Sequence, residues 1–162
     1  MTTAQPGTTP RAAVTVRRAR AADAGAVAAL YAQLVANPAL HVLPARLDEL
    51  AAHADAALLV ASVDGTLVGT VFVAWCPDAM FGRRPFAVVE NIVVDTGSRG
   101  RGVGAALLAE VERLSRARDC SKIMLLSASE RVAAHRFFVR GGYAGDRKRG
   151  FVKYRSAFAS AD

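Results

Sequence analysis

The sequence predicts an α/β (α+β) fold with a mixed, mostly antiparallel central sheet flanked by helices. Two strand-like segments joined by Asp64-Gly65 carry a strong signal for an antiparallel hairpin. Later in the chain an amphipathic helix lies between two buried strand-like segments, as in a βαβ unit. Apolar residues make up 52% of the 162 residues, which is enough for one well-packed core.

The first half of the chain contains four predicted strands and two predicted helices. The first helix begins at Asp23 and ends before Asn37-Pro38, and Pro44 lies in the first turn of the second. The apolar run 86–94 predicts a central strand, because both of its faces are apolar. The four strands cover residues 14–18, 57–63, 66–75 and 86–94.

The second half begins with an amphipathic helix over residues 102–118, followed by a short buried strand over 122–127. A helix over 132–139 is ended by Gly141-Gly142. Two last strands are predicted, at Tyr143 and over 151–155. The predicted order is therefore β-α-α-β-β-β-α-β-α-β-β.

The net charge of +7 is concentrated in the second half of the chain. Residues 1–98 hold 7 Lys and Arg against 8 Asp and Glu, whereas residues 99–162 hold 14 against 6. A positive potential of this kind favours an anionic partner, either nucleic acid or a phosphorylated cofactor. A solvated arginine-rich surface is the alternative without a function.

The domain organisation and compartment follow from simple features. Residues 1–12 lack the apolar block of a signal peptide and are predicted to be a disordered lead-in to a single domain over 13–162. Apolar runs are too short to span a membrane. The cysteines Cys76 and Cys120 are too few for a disulfide scaffold, so we expect a reducing, cytoplasmic location. The three histidines show no metal-ligand spacing, so no metal is expected.

The most informative segment is residues 99–104, Arg-Gly-Arg-Gly-Val-Gly, which opens the helix after the 86–94 strand. Unpaired amides at a helix N-terminus, the helix dipole and glycines that let a phosphate approach the backbone together predict an anion site. The pattern lacks the Gly-Lys-Ser/Thr ending of a Walker loop. It also lies after the fourth strand, where a Rossmann fingerprint would follow the first.

The chain resembles the GNAT superfamily of acetyl-CoA-dependent N-acetyltransferases. The resemblance rests on Arg99, Gly102 and Gly104, which follow Ile-Val-Val-Asp at 92–95 and match the family signature Arg/Gln-x-x-Gly-x-Gly/Ala. The segment 134–143, AHRFFVRGGY, is similar to a second family motif. Together with the element order, the resemblance covers roughly residues 13–155.

The resemblance implies a splay between the fourth and fifth strands, beside a bulge, that admits the cofactor. The strand end would pair with the pantetheine arm, the glycine loop would hold the pyrophosphate, and the Val94 amide would polarise the thioester carbonyl. The implied cofactor-binding residues are Ile92, Val93, Val94, Arg99, Gly100, Arg101, Gly102, Val103, Gly104, Ala105, Arg131 and Phe138.

Glu90 is the candidate general base. An amine with a pKa near 10.4 is only about 0.04% neutral at pH 7, so a base is expected. An uncompensated carboxylate on a central strand is costly, and Glu90 lies in such a strand. Other family members place a glutamate on the fifth strand, where this chain has Leu126. The alternative is a structural ion pair with Arg17 or Arg136.

The general acid departs from the family pattern. The family's tyrosine corresponds to Phe138, which has no proton to give to the departing thiolate. Either the thiolate leaves unaided, another hydroxyl replaces the tyrosine, or the protein binds acetyl-CoA without efficient catalysis. Tyr143 is the first candidate for a replacement, and the others are Tyr154, Ser127 and Ser129.

We therefore expect an N-acetyltransferase that moves an acetyl group from acetyl-CoA to a primary amine on a small molecule or peptide, by direct attack in a ternary complex. A non-catalytic acyl-CoA sensor and a basic nucleic-acid-binding module are the alternatives. The acceptor is left open by the sequence, and a homodimer is expected only from family habit.

Overall fold

The computed structural model describes residues 13–158. The predicted disordered lead-in, residues 1–12, lies outside this range. The chain divides into two compact units, one ending at Leu125 and the other beginning at Leu126. The prediction of a single domain over residues 13–162 stays a prediction.

The first unit is built on a five-stranded sheet in the order β1-β2-β3-β4-β5. The first four strands pair antiparallel with their neighbours, and β5 pairs parallel with β4. This confirms the predicted mixed, mostly antiparallel sheet. The strands are β1 (Val14–Arg18), β2 (Ala56–Val63), β3 (Thr66–Cys76), β4 (Phe86–Val94) and β5 (Ile123–Leu125).

Helices cover both faces of this sheet. They are α1 (Ala24–Leu34), α2 (Pro44–Ala52) and α3 (Val103–Ala117). Neighbouring residues of β2 enter different cores, because successive strand side chains point to opposite faces. Leu59 packs in one core with Leu107 of α3, whereas Leu58 packs in the other with Leu47 of α2. The helix starts and ends lie within a few residues of the predictions.

A glycine lets the start of α3 lie close to the sheet. A Cβ built on Gly69 of β3 would lie 2.8 Å from Val103 Cγ1 and 3.2 Å from Leu107 Cδ1. At the far end of α3, the Trp75 indole donates a 3.2 Å hydrogen bond to Ser115 Oγ. The first turn of α3 is therefore held against β3, next to the end of β4.

The second unit contains α4 (Val132–Arg140), close to the predicted 132–139. The strands predicted at Tyr143 and over 151–155 are wrong, since residues 126–158 contain no strand and a short 3₁₀ turn lies over Arg155–Ala157. Phe151 is 89% exposed and Tyr154 74% exposed. A segment with a strand-like pattern forms a strand only when a neighbouring strand pairs with it. Residues 151–155 have no such neighbour among the described residues.

Candidate active site

A β-bulge lies near the end of β4. Thr70 of β3 is opposite Val93, and Phe72 is opposite Glu90, so three steps along β4 correspond to two along β3. The extra residue lies at Asn91 or Ile92, and Asn91 has a left-handed φ of +53°. Asparagine tolerates this conformation better than most residues. The bulge implied by the family resemblance is thus present in the strand where it was expected.

The bulge reverses which amides of β4 face outward. Amides of a strand point alternately to its two edges, so Ala87 and Asp95 would face the same edge in a regular strand. Ala87 instead donates to Lys122 on the β5 side, at 2.9 Å, and Asp95 donates to Val68 of β3, at 2.8 Å. Because Asp95 faces β3, the preceding amide, that of Val94, faces the β5 side.

That edge of β4 extends past β5. The parallel pairing of β4 with β5 covers only Ala87, Val88 and Val89. The remaining residues of β4, through Val94, run on without a β5 partner in the part of the chain that the structure describes. This arrangement agrees with the predicted splay between the fourth and fifth strands.

The glycine loop follows this edge directly. Gly100 and Gly102 have φ of +74° and +84°, the left-handed region that favours glycine. Gly102 is the N-cap residue of α3, and no side chain caps the helix there. The Arg99 Nε donates a 3.3 Å hydrogen bond to the Val94 carbonyl, which brings a guanidinium to the exit of β4. The loop therefore presents backbone amides and cations, the groups that bind phosphate.

Gln33 of α1 fixes the turn that precedes the loop. Its Nε2 donates to Asp95 Oδ1 at 3.0 Å, while its Oε1 accepts from the Thr96 amide at 3.1 Å and from the Thr96 hydroxyl at 2.9 Å. Asp95 also accepts from the Gly97 amide at 3.0 Å. The hydrogen bond from Gln33 is the main cause that lowers the pKa of Asp95. We did not predict this contact, because 62 residues separate its partners.

Glu90 is exposed and has no ion-pair partner within residues 13–158. The expectation that this carboxylate is buried at a desolvation cost is therefore wrong. Glu90 does lie beside the bulge, next to Asn91. The suggested pairing with Arg17 is also wrong, because Arg17 forms a bidentate pair with Asp23 at 2.7 and 2.9 Å. Glu90 lies directly opposite Phe72 on β3, so the two side chains share one face of the sheet.

Two cavities open beside the bulge on that face. The larger has a volume of about 290 Å³ and the smaller about 210 Å³, and Tyr31 and Asn91 line both. Phe72 lines the larger one. Burial raises the pKa of Tyr31 to about 12, so its phenol stays protonated at neutral pH. The sequence signal for these walls was the apolar face of α1, which is equally typical of a plain core.

The remaining predicted site residues lie in the second unit. Arg131 is the N-cap residue of α4, and Phe138 on that helix is buried. Tyr143 donates its amide to the Phe138 carbonyl at 3.0 Å, and the two rings meet edge to face at 6.1 Å. The hydroxyl of Ser127 is buried and has no hydrogen-bond partner among the described residues.

Residues 13–158 contain no cluster of three or more His, Cys, Asp or Glu side chains that could hold a metal ion. Within the same range, no helix is both long and apolar enough to cross a membrane. Cys76 and Cys120 are both free thiols.

A family model described as the acetyltransferase (GNAT) family matches residues 27–143, which include the β4 edge, the glycine loop and α4. This match spans well over half of the chain. The chain belongs to the GNAT acetyltransferase family.

Individual relatives agree with this assignment. A glucosamine 6-phosphate N-acetyltransferase from Trypanosoma brucei brucei is 33% identical over 66 residues, a stretch that covers 41% of this chain and 45% of the relative. The match thus spans under half the length of that curated relative.

Two solved structures share the fold. A structure from Agrobacterium tumefaciens str. C58, assigned as an acetyltransferase, has a TM-score of 0.78 at 25% identity and covers 86% of this chain and 99% of its own. An aminoglycoside N-acetyltransferase in complex with CoA has a TM-score of 0.74 at 21% identity, with coverages of 91% and 99%.

Proposed function

We propose that this chain transfers an acetyl group from acetyl-CoA to a primary amine, by direct attack while both substrates are bound. One observation carries the proposal: the bulge at Asn91 turns the Val94 amide to the open edge of β4, immediately before a glycine loop that opens α3. A plain structural turn needs neither feature.

The residues present fit acetyl-CoA. The outward-facing amides and carbonyls of residues 92–94 would pair with the two amides of the pantetheine arm, as in an added strand. The amides of residues 100–105 and the cations of Arg99 and Arg101 would hold the pyrophosphate. Arg131, which stands where the family has an asparagine, and Phe138, which stands where it has a tyrosine, would complete the proposed set. When bound, acetyl-CoA would supply the acyl group as an activated thioester.

The Val94 amide would act as the oxyanion donor. A backbone N–H fixed by a strand needs no reorganisation when it donates to a carbonyl oxygen that gains negative charge. Removing one such donor typically costs about 10²–10³-fold in rate. The open edge of β4 beside Val94 leaves room for that carbonyl.

Glu90 would act as the general base, taking the proton from the amine directly or through one water. Its strand partner Phe72 lines the larger cavity, so an amine whose body occupies that cavity would lie beside the Glu90 carboxylate. Glu90 is exposed, so its carboxylate is in contact with water, which can carry the proton away.

The proton for the departing thiolate has two candidate donors in this chain. Tyr143 lies next to Phe138, the position where the family has its tyrosine. Ser127 has a buried hydroxyl without a partner. We place Tyr143 first, since a phenol is a stronger acid than an aliphatic hydroxyl and donates a proton to a thiolate more readily.

The second candidate function is a non-catalytic acyl-CoA sensor. It is favoured by Phe138, which is buried and cannot donate a proton. Thiol release from acetyl-CoA across a panel of primary amines, with a reaction lacking any acceptor, separates the two. Acceptor-dependent release supports the transferase. Stoichiometric binding of acetyl-CoA by calorimetry with no release across the panel supports the sensor, and absence of binding overturns both.

A separate proposal concerns the cellular setting. Two free thiols are typical of a reducing compartment, so we place the protein in the cytoplasm. A homodimer stays a prediction.

A further inference from the structure

We infer that the acceptor is a small amine with an apolar body and a single positive charge, not an amino sugar. This inference rests on the proposed acetyltransferase function. It is carried by the walls of the 290 Å³ cavity beside Glu90.

Most of that wall is hydrocarbon. Seven of the ten lining residues have aliphatic or aromatic side chains, from α1, α2, the segment before α2, β2 and β3. They include Val42, Leu47, Leu58 and Phe72. A sugar buried against this surface would leave those of its hydroxyls that face the wall without hydrogen-bond partners, which weakens its binding. An alkyl or aromatic body has no hydrogen bonds to lose at this wall, and it gains free energy by burying apolar surface.

The charged groups around the cavity also argue against the relatives' acceptors. Among the described residues that line the cavity, Arg46 is the only Lys or Arg, and it already pairs with Glu49 at 2.7 Å. A sugar phosphate needs free cations, usually several. The same described lining contains no Asp or Glu, and a polycationic aminoglycoside needs several carboxylates. Glu90, whose strand partner Phe72 lines the cavity, supplies one carboxylate, which suits one amine.

The size of the cavity sets an upper limit on the acceptor. Ligand pockets range from about 300 to 1,000 Å³, so 290 Å³ corresponds to the smallest ligands. Besides Arg46, the hydrogen-bonding side chains among the described lining residues are those of Tyr31, His41 and Asn91. An arylalkylamine such as phenethylamine matches both the size and the polarity.

The test compares phenethylamine, glucosamine 6-phosphate and an aminoglycoside as acceptors for the full chain. We expect kcat/KM for phenethylamine to exceed that for either sugar at least 100-fold. Equal or higher kcat/KM with a sugar overturns the inference while leaving the acetyltransferase function intact. Failure to bind acetyl-CoA by calorimetry overturns the proposed function itself. If the protein binds acetyl-CoA fully but releases no thiol with any of the three acceptors, the inference about the acceptor is also overturned.

A matched pair of variants places the amine in this cavity. Leu43 lines it yet is 53% exposed, so Leu43→Lys adds a positive charge without opening the core. The added charge repels the ammonium of the amine and places a polar group against its apolar body, so we expect the KM for phenethylamine to rise at least tenfold, with the Kd for CoA unchanged. The control Met80→Lys makes the same charge change at a 75% exposed residue outside both cavities. Equal KM in the two variants contradicts the assignment.

Discussion

The two sides of the β4 bulge use different parts of the chain. On the proposed cofactor side the candidate ligand groups are backbone amides, in a loop shaped by glycines at positive φ and by the turn that Asp95 closes through the Gly97 amide. On the proposed acceptor side they are side chains, including those of α1, α2 and β3, around a cavity that is mostly apolar. In this proposal the backbone groups would bind phosphate and pantetheine. The side chains would set the acceptor specificity, because side chains change by substitution while the backbone groups do not.

The largest expected effect breaks the cofactor side alone. Gly102→Val forces a β-branched residue to a φ of +84° at the start of α3, so we expect at least about 100-fold weaker CoA binding by calorimetry. Gly82→Val is the matched control, because it imposes similar backbone strain at φ +68° in the loop before β4. Retained CoA affinity in Gly102→Val would remove the loop from the cofactor site.

The second largest expected effect concerns Glu90, which lies between the proposed cofactor and acceptor sides. Glu90→Gln keeps the shape of the side chain but cannot accept a proton, so we expect kcat/KM to fall about tenfold or more and the loss of rate towards acid pH to disappear. CoA affinity should not change. Glu112→Gln, which loses an exposed ion pair on α3, is the control. Identical pH profiles for wild type and Glu90→Gln would reassign Glu90 to structure.

A smaller effect tests whether the sides are mechanically linked. Gln33→Leu removes three hydrogen bonds to Asp95 and Thr96, all exposed, so we expect CoA to bind about three- to tenfold more weakly. The KM for phenethylamine should stay within twofold, since Gln33 lines neither cavity. If the KM for phenethylamine rises as much as the Kd for CoA, the walls of the acceptor cavity also depend on the Gln33 hydrogen bonds, which we call the Gln33 clamp.

The smallest effect is on stability at the acceptor side. The Arg17 hydrogen bond lowers the pKa of Asp23 in the folded state, so this carboxylate stabilises the fold above its unfolded pKa of about 3.9. Asp23→Asn should lower the free energy of unfolding at pH 7 by about 1 kcal/mol. The difference should shrink as the pH falls below about 4, because the unfolded chain then binds a proton at Asp23 that the folded protein takes up only at its lower folded-state pKa. Denaturant melts at pH 7 and pH 3, with Asp55→Asn as control, measure this.

The elements of the proposed cofactor side could be predicted because they depend on local signals. Glycine spacing, the Ile-Val-Val-Asp strand end and the amphipathic 102–118 helix all act within about 30 residues, and the structure places α3 and β4 where they were expected. The turn at Asp64-Gly65 is similarly local, and both residues have positive φ. Short-range chemistry is readable from one sequence.

The errors have the opposite character. The predicted strand over 151–155 has a strand-like pattern but no neighbour to pair with among the described residues, and pairing is a tertiary property. The supposed cost of burying Glu90 failed for the same reason, since its exposure depends on what packs over that face of β4. The Gln33 clamp and the cavity walls join segments far apart in sequence. Periodicity alone identifies none of these tertiary contacts.

The bulge at Asn91 has a consequence for how this protein can vary. The side of the strand on which the Val94 amide emerges depends on the number of residues in β4, not on their identity. Substitutions along the strand leave that count intact. Losing a residue of β4 before the bulge would shift the register by one, so that the Val94 amide would face β3 and the Val93 amide would face the open edge. Losing the extra residue itself would keep the pairs but remove the bulge and the bend that it gives the strand. Gaps in this strand should therefore be far rarer than substitutions among functional descendants.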